Sequence, residues 1–155
     1  MSYLLIFLIA MLPLAELRVA VPAGLAMGLP VIPVYIVCIL GNMIPVPFIY
    51  FFARKVLEWG KDKKVIGRFF TLCIEKGESG GRKLQAKAGN GLFVALLLFV
   101  GIPLPGTGAW TGTLAASVLD MDFKSSVIAC MLGVVLAGII MGIVSMGAFN
   151  VIGIR

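Results

Sequence analysis

Long uncharged apolar runs dominate this chain. Residues 19–53, 88–119 and 125–154 carry no Asp, Glu, Lys or Arg, giving runs of 35, 32 and 30 residues. A helix needs only about 20 apolar residues to cross the hydrocarbon core of a bilayer. The pattern divides into four apolar segments, residues 2–29, 31–52, 91–119 and 125–149, with a charged stretch, residues 53–90, in the middle. The second and fourth segments have ordinary spanning length. The first and third do not: each would make a straight helix of about 42 Å, against a core of about 30 Å.

Both overlong segments are broken near their centres. The first contains Leu12, Pro13, Leu14, Ala15 and Glu16; the second contains Pro103, Leu104, Pro105, Gly106, Thr107 and Gly108. Proline removes a backbone donor and glycine frees the chain to turn. Two readings follow. Either each segment is a re-entrant hairpin that enters and leaves by one face, which the breaks favour, or each is a long, tilted, kinked span.

The breaks recur. Pro13 and Leu14 match Pro103 and Leu104 at an offset of 90, and the run Cys38, Ile39, Leu40, Gly41 resembles Cys130, Met131, Leu132, Gly133 at an offset of 92. The chain therefore reads as one membrane domain, 1–155, built from a duplicated unit. Residues 1–52 form the first repeat, 53–90 a basic linker and 91–155 the second repeat. The expected fold is an all-α integral membrane protein with two inverted repeats, each a re-entrant helical hairpin plus a spanning helix, joined by a basic amphipathic cytoplasmic segment. Secondary transporters use such inverted repeats, with a site at the midplane between broken helices. If the overlong segments simply span, the result is a four-helix bundle whose link at Asp120, Asp122 and Lys124 faces outward. That link reads as solvated.

Close packing is expected at three small-xxx-small pairs: Gly24 with Gly28, Gly108 with Gly112, and Gly138 with Gly142. Asn42 is expected to hydrogen-bond across a helix contact. Pro45 and Pro47 are expected to kink or loosen the second half of segment 31–52.

Charge changes the picture in one place. Ten Lys and Arg and four acidic residues lie between Arg54 and Lys87, so this stretch alone carries the net charge of +6. Lys and Arg in short loops mark the cytoplasmic side. Flanked by lipid-bound segments, the cluster fits anionic headgroups and topology better than nucleic acid. Val56, Trp59, Ile66, Phe69, Phe70 and Cys73 approximate one helical face, predicting an interfacial amphipathic helix. Gly77, Glu78, Ser79, Gly80 and Gly81 follow as a linker. The N-terminus lacks a basic start and a small-residue cleavage site, which predicts a retained segment rather than a cleaved leader. Three scattered cysteines and no histidine provide neither a disulfide framework nor a zinc site. No metal, cofactor or enzyme activity is expected.

Candidate chemistry concentrates at the breaks. Glu16 and Arg18 stand alone in an apolar surrounding, and ionisable groups in a spanning segment cost roughly 2.5–3.5 kcal/mol each on insertion scales. Residues two apart do not face each other on a regular helix, so either the backbone is unwound or each has its own partner. Glu16 reads as a proton-coupling carboxylate or as a helix-capping acid. Arg18 cannot give up its proton, and reads as a counter-charge or a binder of an anionic substrate; Asn42 joins it as a candidate. At the second break, Pro105, Gly106, Thr107, Gly108, Trp110 and Thr111 are candidate substrate-binding positions. Free N–H groups opening that half-helix favour an anion, or else glycine and threonine there merely allow packing.

The run Pro103, Leu104, Pro105, Gly106, Thr107, Gly108, Ala109, Trp110, Thr111, Gly112 resembles the signature of a prokaryotic family of small multidrug export proteins. Glu16, Leu17 and Arg18 followed by Pro22, and Gly41, Asn42 and the stretch from Pro45 to Tyr50, resemble that family's other motifs. The order of elements is also similar to the wider DedA family and its lipid-scramblase relatives, which pair re-entrant hairpins with spanning helices. An acidic residue in the first hairpin and an arginine near the second recur there, and this chain has no arginine in the second. The resemblance implies a transporter of the cytoplasmic membrane, with proton-coupled export of a small molecule as the first expectation. Movement of anionic lipids is the alternative, and a structural membrane subunit is a third class. Expected partners are the bilayer, protons and a small-molecule or lipid substrate, and the small-residue faces are compatible with a homodimer.

Overall fold

The structure is a computed structural model that describes residues 1–13, 15–62, 67, 68, 71, 75, 91–104 and 107–152. Ile66, Phe69, Phe70 and Cys73 of the expected amphipathic face, the glycine linker after it, and the site candidates Pro105 and Gly106 lie outside these residues. The described elements are all helical: α1 Ser2–Met11, α2 Glu16–Ala26, α3 Val31–Met43, α4 Pro45–Lys61, α5 Gly91–Gly101, α6 Ala109–Val118 and α7 Phe123–Ile152.

Two continuous lengths are apolar enough to cross a bilayer, Val31–Gly60 with 30 residues and Phe123–Ala148 with 26. Less than half of the most apolar window of each is buried. Ile32, Phe48, Phe52 and Ile143 stand in the open. A helix in the core of a water-soluble protein would hide such a surface, whereas lipid is its natural solvent. The prolines act as expected within the first length. Pro45 and Pro47 lack the N–H groups that would pair with Gly41 and Met43, so regular helix lapses at Ile44. Ile44 keeps helical dihedrals and its N–H still reaches Leu40 O at 3.2 Å, so the rod continues in one direction.

The other four helices have 10 or 11 residues, about 15–17 Å each, or half a hydrocarbon core. α1 lies alongside α2: a Cβ on Gly24 would sit 3.5 Å from Ile6 Cδ1. Likewise α5 lies alongside α6, where a Cβ on Gly112 would meet Val100 Cγ2 at 2.5 Å and Leu96 Cδ1 at 3.3 Å. In both places the chain doubles back at the proline break.

The same local chemistry closes both short pairs. After α2, Gly28 takes φ +72, and Leu29 N–H bonds Gly24 O at 3.1 Å. After α6, Asp120 takes φ +54, and Met121 N–H bonds Ala116 O at 3.0 Å. This is the Schellman closure, in which a left-handed residue lets the last carbonyls find donors. Glycine adopts it freely and aspartate tolerates it. Each of these residues lies 92 positions from its counterpart. Packing repeats as well. A Cβ on Gly41 would meet Phe7 O and Ala10 Cβ, and one on Gly133 would meet Leu97 O and Val100 Cβ.

The two long rods run antiparallel. Tyr35, near the start of α3, packs its ring on Gly138 and Gly142, just past the middle of α7. Arg54, near the end of α4, ion-pairs with Asp120 just before α7. Tyr50 OH donates to Met121 O, and Ser117 Oγ donates to Tyr50 O at 3.0 Å.

The link after α6 is solvated, as expected, with Asp120, Asp122 and Lys124 all exposed, and two of its residues also find partners: Asp120 holds Arg54, and Asp122 caps α7 by accepting from Ser125 N–H at 3.1 Å. The small-residue pairs pack closely within the chain, Gly24 against Val34, Gly112 against Val100, and Gly138 with Gly142 against Tyr35, whereas a Cβ at Gly28 would meet open space.

Candidate functional site

Proline at the first break ends α1 at Met11 and sets Glu16 at the start of α2. Glu16 takes φ +48, a left-handed value that costs an L-residue roughly 1–2 kcal/mol. Non-glycine residues held this way cluster at functional sites. The side chain is buried, at 3% exposure, and reaches the second break, where Oε1 accepts from Trp110 N–H at 3.2 Å. The carboxylate thus sits at the N-terminus of α6, where unpaired N–H groups and the helix dipole favour negative charge. It fits there because position 108 is glycine. A Cβ on Gly108 would fall on the carboxylate, 2.6 Å from Oε1, and Gly108 itself has φ +135.

Arg18 makes the second bridge. Its guanidinium donates to Leu104 O and, at 2.6 Å, to Thr107 Oγ1. Thr107 Oγ1 is also within reach of Ile102 O and Leu104 O, both at 2.8 Å. The third bridge runs the other way: Trp110 Nε1 donates to Met11 O at 3.2 Å, satisfying a carbonyl at the end of α1. Equivalent positions therefore face one another. Glu16 meets Gly108, and Arg18 and Trp110 each donate across to a carbonyl of the opposite break, both pairs at the 92-residue offset.

Among the described residues no ion pair joins Glu16 to Arg18; each has its own partners on the second break. The anion-favouring end of α6 is occupied by the chain's own carboxylate. Thr111 and Thr113 turn their hydroxyls back to Gly108 O at 3.4 Å and Ala109 O at 2.5 Å, and Thr113 also meets Cys130 Sγ at 3.6 Å. Asn42 is wholly buried beside Glu16 of α2, and its amide makes no hydrogen bond of good geometry among the described residues. An orphaned buried polar group costs about 1–3 kcal/mol.

Sequence reasoning did not single out Met11 O as the seat of Trp110, nor Gly108 as the cradle for Glu16. The 92-residue offset was the signal that would have aligned Gly108 with Glu16. Chemically, the arrangement offers one buried carboxylate able to take and release a proton, and a guanidinium that keeps its charge. Among the described residues no group of three or more His, Cys, Asp or Glu could hold a metal ion.

Half-length helices beside two long apolar rods, with their broken ends joined through Glu16, Arg18 and Trp110, make an all-helical chain suited to a membrane. The chain belongs to the family described as "Putative small multi-drug export protein", whose model matches residues 16–140, from Glu16 itself to the middle of α7. No curated protein and no solved structure matches it.

Proposed function

We propose that this protein is a proton-coupled exporter of small molecules in the cytoplasmic membrane, with Glu16 as the coupling carboxylate. The observation that carries this reading is the buried Glu16 carboxylate bridging to Trp110 N–H of the other repeat. Its charge state bears directly on whether the two breaks hold together. A neutral carboxyl gains far less from the end of α6 than a carboxylate does. Proton uptake therefore loosens one repeat from the other, and release draws them together, a minimal coupling between a proton and rocking of inverted repeats.

In this reading α1–α2 and α5–α6 are re-entrant hairpins opening to opposite faces, and the basic stretch is cytoplasmic. The Arg54–Asp120 pair supports it. Four plain spans would put the link after α6 at the opposite end from Arg54. We expect cysteines placed at Met27 and Asp120, in a background without Cys38, Cys73 and Cys130, to be labelled by impermeant maleimide from outside and from the cytoplasm respectively. Labelling of both from one side would sink the inverted arrangement.

The anionic-lipid alternative asks Arg18 to greet a phosphate, but two of its nitrogens already serve Leu104 O and Thr107, leaving Nε without a partner. Proteoliposomes test the two together. An imposed pH gradient should drive movement of a fluorescent lipophilic cation, Glu16→Gln should lower the gradient-driven rate at least tenfold, and labelled anionic lipid should not flip. A Glu16→Gln protein with an unchanged response to the gradient would remove the coupling role.

A further inference from the structure

Apart from the breaks, a second set of polar contacts joins the two halves of the chain. It lies where α4 meets the end of α6 and the link that follows. Arg54 pairs with Asp120, Tyr50 OH donates to Met121 O, and Ser117 Oγ donates to Tyr50 O at 3.0 Å. Arg54 also reaches Glu58 on its own helix at 3.5 Å. The rings of Tyr50 and Phe51 stand 5.3 and 4.8 Å from that of Phe123, at the start of α7. Tyr50 and Ser117 are buried, whereas the side chains of Arg54 and Asp120 are 41% and 44% exposed. A seam of this kind parts at small cost once water can enter, because water takes over its donors and acceptors.

Toward the other end of the rods the chemistry differs. At the 92-residue offset, Tyr50, Arg54, Ser117 and Asp120 correspond to Gly142, Met146, Leu25 and Gly28. None of those four side chains can carry a charge or donate a hydrogen bond. Closure there rests on the ring of Tyr35 against Gly138 and Gly142. We infer that the contacts of Tyr50, Arg54, Ser117 and Asp120 form a gate on the cytoplasmic side, closed in this arrangement and broken each time that side opens to admit substrate. This rests on the transporter reading and the inverted arrangement proposed above. The gate sets the balance between open and closed forms of that side, and Glu16 remains the group that carries the proton.

The test is pulsed electron spin resonance distance measurement in lipid nanodiscs, on a background without Cys38, Cys73 and Cys130. Spin labels at the exposed positions of Phe52 and Leu114 report the gate, and labels at the exposed positions of Met27 and Val144 report the other end. Tyr50→Phe removes the hydroxyl and keeps the ring. Asp120→Asn removes the charge, and asparagine accepts the left-handed backbone at φ +54. Arg54→Gln repeats the charge test without touching the link. Each variant should raise the ratio of a longer to a shorter gate distance about fivefold, and Tyr50→Phe with Asp120→Asn by roughly tenfold or more. The distance at the other end should stay or shorten. In the unsubstituted chain, acid pH or a lipophilic cation should populate the same longer gate distance. If the unsubstituted chain responds to pH or cation while no variant changes the ratio, the gate is overturned and the transporter reading stands. Equal broadening of both distances marks general loosening and also overturns the gate. If neither distance answers to pH, cation or substitution while the protein stays folded, the transporter reading falls and takes the gate with it.

Discussion

Gly108→Ala should destabilise the protein by about 3–5 kcal/mol and separate the two breaks. Two effects add. The backbone of Gly108, φ +135 and ψ −174, lies in a region essentially reserved for glycine, where another residue costs about 1–3 kcal/mol. The added methyl would also occupy the place of the Glu16 carboxylate. Pushing that group off Trp110 N–H strands a buried charge, worth a further ~1–3 kcal/mol or more. Two glycines serve as controls. Gly28→Ala meets open space but keeps φ +72, and should lose only about 1–2 kcal/mol. Gly147→Ala meets nothing and should be neutral or slightly stabilising. Apparent melting temperatures in nanodiscs rank the three, and a Gly108→Ala protein as stable as Gly147→Ala would mean that the carboxylate sits elsewhere.

Arg18→Leu is expected to cost about 2–4 kcal/mol. Hydrogen bonds to charged groups contribute about 1.5–3 kcal/mol each, and Arg18 makes two, to Leu104 O and to Thr107 Oγ1. Hydrocarbon offers no water to replace them. Arg18→Lys keeps the charge but loses the fork, so it should fall between wild type and Arg18→Leu. A double-mutant cycle with Thr107→Ala should return a coupling energy above about 0.5 kcal/mol. If Arg18→Leu instead kept full stability and lost transport alone, the guanidinium would belong to a substrate rather than to the break.

The same residues show where the sequence was legible. Pro13 and Pro103 announced the interruptions, and the structure ends α1 and α5 just before them. The offset of 92 between Cys38 and Cys130 also separates the closures at Gly28 and Asp120. Glu16 and Arg18 drew notice because charge is costly in lipid. Their partners were not readable, because Leu104 and Trp110 are 86 and 94 positions away along the chain. The solvated link at Asp120 and Asp122 was readable, but the cap on α7 was not, because polar residues at a turn look alike whether they cap a helix or not. The glycine pairs foretold a close approach but not its partner: Tyr35 became the neighbour of Gly138 and Gly142 through tertiary packing.

Composition and pattern alone determined that the chain is for lipid, that it breaks twice, and that each break must find partners for exposed backbone groups. They did so because hydropathy, proline and glycine act locally, over a turn or two of helix. Which group serves which break was decided only when the two units met. Complementary shape and charge between distant segments, with Glu16 filling the space left by Gly108, have no local signature, and only the folded chain brings them together.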